Sequence, residues 1–389
     1  MEDLDQKNEL RKVFIKCAWF LPLIAVAIVF PSVVLIHAGE LESYDSLVDK
    51  QLTAKEQILS GQAYNNQLLY YKLTAVRKKK PEIISLGSSR VFQFRSNFFT
   101  PGSAFYNAGG GARRIEHFRE FVSRIPDGDE PKIIIAGLDQ VFFNPNWKFK
   151  DTMPASDKLF SNKPLVERWV WSRVMFLRDY FFYRKVSLND IYAPKNDVKR
   201  IGIYALSNNV GVLNDGSWYF GNVIHGDREI VEKSFNDIKT KIEYGKRDYE
   251  FADHVSQDSL SELRSFLKLC RERGIHLIGF IPPFPHDVYA QLEKMKDKDA
   301  FVFKLPSAIK PLFDEYGASF FDFSDLAKLG AGDEEAFDGA HASEKAYLRL
   351  TLKLIEKDRV LRQFTDPEYL KGKLRNSDNP YVVFDINEL

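Results

Sequence analysis

The chain has only two cysteines, Cys17 and Cys270, in 389 residues. One sits at the edge of an apolar run and the other in a predicted helix, so no disulfide framework holds the fold. Charge of one sign is also missing: 55 Lys and Arg face 54 Asp and Glu, a net of +1. No global field therefore favours nucleic acid, and no nucleic-acid partner is expected. Histidine is sparse, and His37, His117, His225, His254, His276 and His286 show no metal-ligand spacing. The glycine run Gly109-Gly110-Gly111 lacks a following lysine at P-loop spacing. Neither a metal nor a cofactor is expected. Internal repeats and long low-complexity tracts are absent.

What is present is an ordinary globular composition, 44% hydrophobic and 28% charged. One long apolar run stands out. From Cys17 to Gly39 there is no Asp, Glu, Lys or Arg. As a continuous helix it would reach about 30 Å, the thickness of a bilayer's hydrocarbon core. Pro22 and Pro31 are tolerable in such a helix. The expectation is a transmembrane helix over 17–39; a cleaved signal peptide and a buried soluble helix are the competing readings. Lys7, Arg11, Lys12 and Lys16 precede the run, and Glu40, Glu42, Asp45 and Asp49 follow it. The positive-inside rule then puts residues 1–16 in the cytoplasm. That makes the chain single-pass in the cytoplasmic (inner) membrane, with its main domain extracytoplasmic: periplasmic in a two-membrane bacterium.

Residues 40–80 read as a helical stem, with leucines at roughly helical spacing and the basic run Arg77–Lys80 at its end. Short apolar strands follow at Ile83–Leu86, Ala104–Tyr106, Ile133–Ala136, His276–Ile281 and Ser319–Phe323. Helices fall between them, near 113–124, 257–273, 308–316 and 343–361. Strands alternating with helices predict an α/β fold with a flavodoxin-like parallel sheet and helices on both faces. The domain runs over 81–365 and carries an aromatic-rich insertion at about 142–255. In that insertion Asn214-Asp215-Gly216-Ser217 reads as a hairpin turn. The polar tail 366–389 is unassigned.

The chemistry gathers where strands end, as open α/β sheets dictate. Gly87-Ser88-Ser89-Arg90 follows the first strand, and Gly109–Gly111 follows the second. Asp139 and Gln140 follow the third, and Asp338-Gly339-Ala340-His341 precedes the last helix. A serine on a tight turn after a strand can project as a nucleophile. An Asp three residues before a His can brace the imidazole. Ser89, His341 and Asp338 are thus candidate nucleophile, base and orienting acid. Arg90 is a candidate anion binder, or equally a structural ion pair.

In this order the motifs resemble the SGNH (GDSL-like) hydrolase superfamily, over roughly 81–141 and 274–361. Gly-Ser-Ser is similar to the family's nucleophile block, Asn107–Gly111 to its glycine block, and Asp338 with His341 to its Asp-x-x-His block. The resemblance implies an oxyanion site from the Ser89 amide and one of Gly109, Gly110 and Gly111. The third block departs from the usual Gly-x-Asn-Asp, reading Gly137-Leu138-Asp139-Gln140. An ionised Asp139 would repel an oxyanion, so either the Gln140 amide serves or only backbone N–H groups do. The apolar N-terminal run and the Gly-Ser-Ser form resemble the DltD-like and polysaccharide O-acetylation branches. These imply a membrane-anchored acyltransferase or esterase acting on an envelope glycan, beside a membrane-bound acyl-donor protein. A general lipase or esterase, and a non-catalytic glycan-binding or assembly protein, are the alternatives.

Overall fold

The computed structural model describes residues 2–63, 67–162, 165–193, 198–226 and 228–388. The strands are β1 (Ile58–Ser60), β2 (Ile83–Gly87), β3 (Phe105–Gly109), β4 (Ile133–Gly137), β5 (Lys199–Ile201), β6 (Val210–Val212), β7 (Trp218–Phe220), β8 (His276–Ile281) and β9 (Ser319–Asp322). Five of them form a sheet in the order β3-β2-β4-β8-β9, with every neighbouring pair parallel. Every residue of β2, β3 and β4 is buried. Successive side chains point to opposite faces, so both faces of the sheet are covered. That explains the unbroken apolar runs such as Ile133–Ile135. The amphipathic helices Glu116–Ser123 and Gln257–Glu272 bury Phe118, Phe121, Leu263 and Phe266 in the same core.

The chain leaves β2 to one side for β3 and returns to the other side for β4. The carboxyl ends of β2 and β4 therefore flank the point where strand order reverses, the place such sheets reserve for ligands.

A second sheet has the order β5-β1-β6-β7. Three of its strands come from the insertion, while β1 comes from the 40–80 stretch, which also holds helices Tyr44–Thr53 and Leu68–Lys79. The hairpin at Asn214–Ser217 forms, with Gly216 at φ +81°, a conformation open to glycine and costly for other residues. Its turn docks on edge strand β3: the Asn107 N–H donates to the Asp215 carbonyl at 2.7 Å. The buried Lys72 donates to the carbonyls of Asn107 and Gly216. Burial pushes its ammonium down to about 7, against the pull of Asp215. The tail is structured as well, with helix Pro367–Arg375 and buried Phe384 and Ile386.

The expected transmembrane helix over 17–39 is overturned. The apolar run is divided between two helices, Glu2–Ala18 and Leu21–His37, separated at Trp19 and Phe20, with Pro22 in the first turn of the second. The second has 17 residues, about 25 Å at 1.5 Å per residue, short of a hydrocarbon core. Its last turn belongs to the fold: Val34, Leu35 and Ala38 are buried against Phe176, Val186, Ile191 and Ile203. Glu40, just beyond, is buried and accepts from the Ile203 N–H at 3.0 Å. Among the described residues no helix is long and apolar enough to cross a membrane.

Candidate active site

Ser89 opens a single 3-10 turn, Ser89–Val91, directly after β2. The Ser88 hydroxyl caps that turn by accepting the Arg90 N–H at 3.0 Å. Asn107, buried on β3, braces the segment that follows. Its amide donates to the carbonyls of Val91 and Phe94, both at 2.9 Å. Gly137, ending β4, must be bare because a Cβ there would lie 2.2 Å from the Val91 side chain.

His341 and Asp338 sit on a loop tied at its base. The Phe337 N–H donates to the His341 carbonyl at 2.8 Å, and the Ser343 N–H to the Glu335 carbonyl at 2.7 Å. Ser343 then caps helix Glu344–Lys357. One Asp338 oxygen accepts the backbone N–H groups of Ala340 and His341, both at 2.8 Å. The His341 Nδ1 lies 2.8 Å from the other. On its far side the His341 Nε2 lies 2.8 Å from the Ser89 hydroxyl. The structure thus joins the two ends of the domain at the three residues expected from the sequence.

Electrostatics match this arrangement. Burial favours a neutral Asp338. The His341 charge and hydrogen bonds from His341 and the Ala340 and His341 amides outweigh it, bringing the carboxyl to about 2. Burial likewise opposes charge on His341, but the Asp338 carboxylate and its hydrogen bond win and raise the imidazole above its ordinary value. Nδ1 therefore carries the proton toward Asp338, leaving Nε2 as the acceptor.

The other expected site residues are committed elsewhere. Arg90 donates to the Gln140 side-chain oxygen at 2.6 Å and to the Pro282 carbonyl at 2.8 Å. Its guanidinium also lies 3.7 Å from Asp139 and stacks over Phe284 at 3.9 Å. It clamps the ends of three strands together. Gln140 is held by that clamp, its amide nitrogen turned to Pro282 at 3.5 Å. The three glycine amides are also spent. Gly109 donates to the Asn107 side chain at 2.7 Å, Gly110 to the Ser88 carbonyl at 3.0 Å and Gly111 to the Ala108 carbonyl at 2.9 Å. Gly110 instead serves the backbone: its φ is +77°, and a Cβ would lie 2.2 Å from Leu68. The Ser89 N–H, first in its turn and so without a helical partner, is the expected donor left free.

Asp139 lies two residues past Gly137, the last residue of β4. It is buried and lines the same cavity as Ser89, and one of its oxygens has no hydrogen-bond partner. Burial pushes its carboxyl up; Arg90, the Ser88 hydroxyl and His341 oppose, and the balance is upward. Asp139→Asn removes a negative charge and supplies an N–H donor. One oxyanion donor is typically worth ~10²–10³ in rate. If this site turns over an ester, the variant is expected to do so at least about tenfold faster above neutral pH. The gain shrinks as pH falls, because a raised carboxyl is protonated more often there and repels less. A pH profile of kcat for both forms checks this; a loss of rate at every pH would contradict it.

Sequence reasoning missed several contributors. Phe220, ending β7, lies with its ring centroid 5.9 Å from that of His341 and stacks on Phe337 at 4.6 Å. The Tyr347 hydroxyl donates to the Arg90 carbonyl. Arg95 and Glu344 form a buried ion pair behind the site at 2.9 Å. No local pattern marks these residues, because each acts through a partner far away in the chain. A cavity of about 460 Å³ opens onto Ser89 and His341 and continues between the start and end of the insertion and the 284–302 segment. Among the described residues no cluster of His, Cys, Asp and Glu is arranged to hold a metal ion.

Compared with protein-family models and with curated proteins, the chain matches none.

Proposed function

We propose that this chain is a serine-dependent O-acyl esterase or acyltransferase whose ester is borne by a glycan. The observation that carries the reading is the 2.8 Å contact between the Ser89 hydroxyl and His341 Nε2, with Asp338 behind the imidazole. The glycan rests on the resemblance of the motifs and on the half-exposed aromatic Phe149 at the cavity rim.

His341 takes the Ser89 proton as the Ser89 oxygen bonds to the ester carbonyl carbon. The carbonyl pair moves onto oxygen, where the Ser89 N–H donates to it. His341 then returns the proton to the leaving alcohol as the old carbon–oxygen bond breaks. Water or a second sugar hydroxyl repeats these steps in reverse order on the acyl-serine. Water gives hydrolysis, a sugar hydroxyl gives transfer. A non-catalytic glycan binder has no need of this proton-transfer geometry, and the contact favours catalysis over binding alone.

A fluorophosphonate probe tests the reading. Its phosphorus bonds to an activated serine oxygen and releases fluoride. Peptide mapping is expected to place the label on Ser89, with none on Ser89→Ala. An unlabelled, folded wild-type chain would overturn the proposal.

A further inference from the structure

The cavity beside Ser89 has two chemically different ends. Among the lining side chains Phe149 is exposed and Arg113 and Leu68 are half-buried, which places the mouth there. The inner wall is built from Phe142, Trp147, Met153, Leu292, Phe301 and Val302. Apart from the half-buried Met153, these side chains are buried in the main core. Beside this wall stand three polar groups, Asp248, Tyr249 and Asp299. Asp248 is occupied by the Trp147 indole N–H at 2.8 Å. Asp299 accepts the Ala252 N–H at 3.2 Å, and burial pushes its carboxyl up to about 7. A sugar ring needs several donors and acceptors around it, and the six side chains of this wall offer no free N–H or O–H. A hydrocarbon chain needs none.

Size argues the same way. At about 460 Å³ the cavity falls in the range of sites that enclose a drug-sized ligand, roughly 300–1,000 Å³. With the sugar at the mouth, an acetyl group would still leave the apolar wall uncovered, and uncovered apolar space forfeits contact energy. We infer that the inner end is an acyl-chain pocket, and that the esters this site handles carry an acyl group of medium length rather than acetyl. The inference rests on the proposed serine chemistry and adds the acyl class to it. Its wall is shared by the start of the insertion (Phe142–Met153) and by the 284–302 segment, so the insertion shapes acyl choice. The sugar portion then occupies the mouth, where Phe149 is 48% exposed.

The test is a series of p-nitrophenyl esters from acetate through butanoate and octanoate to dodecanoate, hydrolysed by the full chain. Each methylene buried from water contributes ~0.8 kcal/mol, about fourfold. The kcat/KM is expected to climb from acetate and to exceed it at least about tenfold at octanoate. Val302→Trp, which fills the inner end, is expected to cut the octanoate-to-acetate ratio at least about tenfold. Met153→Phe, at a less enclosed part of the wall, gives the same sign if the first variant does not fold. A flat series, or one highest at acetate, overturns the acyl pocket while leaving the serine chemistry standing. A ratio unmoved in a folded variant does the same. No turnover of any ester, with no fluorophosphonate label on Ser89, overturns both.

Discussion

Asp338→Asn is expected to lower kcat for ester turnover by about 10⁴-fold, with KM little changed, as when a triad carboxylate is made neutral without loss of shape. Asp338 accepts from His341 Nδ1 and from two backbone N–H groups. An asparagine amide oriented to keep both backbone bonds on its oxygen presents an N–H to His341 Nδ1 where the carboxylate presented an acceptor. His341 then flips its tautomer or loses its brace, and Nε2 no longer receives the Ser89 proton. Ser89→Ala removes the bond-forming oxygen and is expected to abolish acyl-enzyme formation. Because the three residues act as a unit, the double variant is expected to lose little beyond Ser89→Ala alone.

The pH profile gives a second readout of the same change. In the proposed chemistry turnover requires neutral His341, whose imidazole is raised by Asp338 despite burial. In the wild type the acid limb of kcat/KM is therefore expected above the ordinary imidazole value, with activity rising as pH rises through it. Removing the Asp338 charge takes away what held the proton, so the limb moves to lower pH in Asp338→Asn. A residual rate with an unmoved limb would mean that Asp338 does not govern His341.

The parallel sheet was legible because strands buried on both faces read as apolar runs with sharp stops. Ile83–Leu86 stops at Gly87, and His276–Ile281 stops at Pro282. Ser89, Asp338 and His341 were legible for a related reason: each sits on the segment that follows a strand or precedes a capped helix. Hydrogen-bond allegiance was not legible. Three consecutive glycines suggest free amides, yet two donate locally and Gly110 donates to Ser88 on the neighbouring turn. Gln140 looked available until Arg90 was seen to hold it. Strand β1 was hidden because three residues carry no period, and its parallel partner Lys199–Ile201 lies in the insertion. The apolar run at 17–39 misled for another reason. Hydropathy measures reluctance to meet water and does not mark where a helix breaks: the run parts at Trp19 and Phe20, and Leu21, Ile24, Val26 and Val29 stay exposed, so only its end is taken into the core. Val34 and Leu35 are buried against the insertion's Phe176 and Ile203.

Arg95→Met is expected to destabilise the fold by about 3–5 kcal/mol, the usual cost of leaving one member of a buried ion pair behind. Arg95 is 0% exposed and Glu344 1%. The Arg95 Nε meets Glu344 at 2.9 Å, while its other nitrogens donate to Gln93 at 2.9 Å, to the Trp218 carbonyl at 3.2 Å and to Ser217. The second Glu344 oxygen accepts the Val383 and Phe384 N–H groups at 2.8 and 2.9 Å. One guanidinium therefore links the segment after Ser89, the hairpin of the second sheet, the helix after His341 and the tail. Met fills much of the volume but strands the Glu344 carboxylate, and urea denaturation is expected to show the loss as a lower midpoint at similar slope. Adding Glu344→Gln removes the stranded charge and is expected to recover part of the stability. Activity is expected to remain low in that double variant, because what Arg95 joins are the segments that carry Ser89 and His341. If stability and kcat recover together, Arg95 only balances a charge; if stability returns alone, it also sets the distance between nucleophile and base.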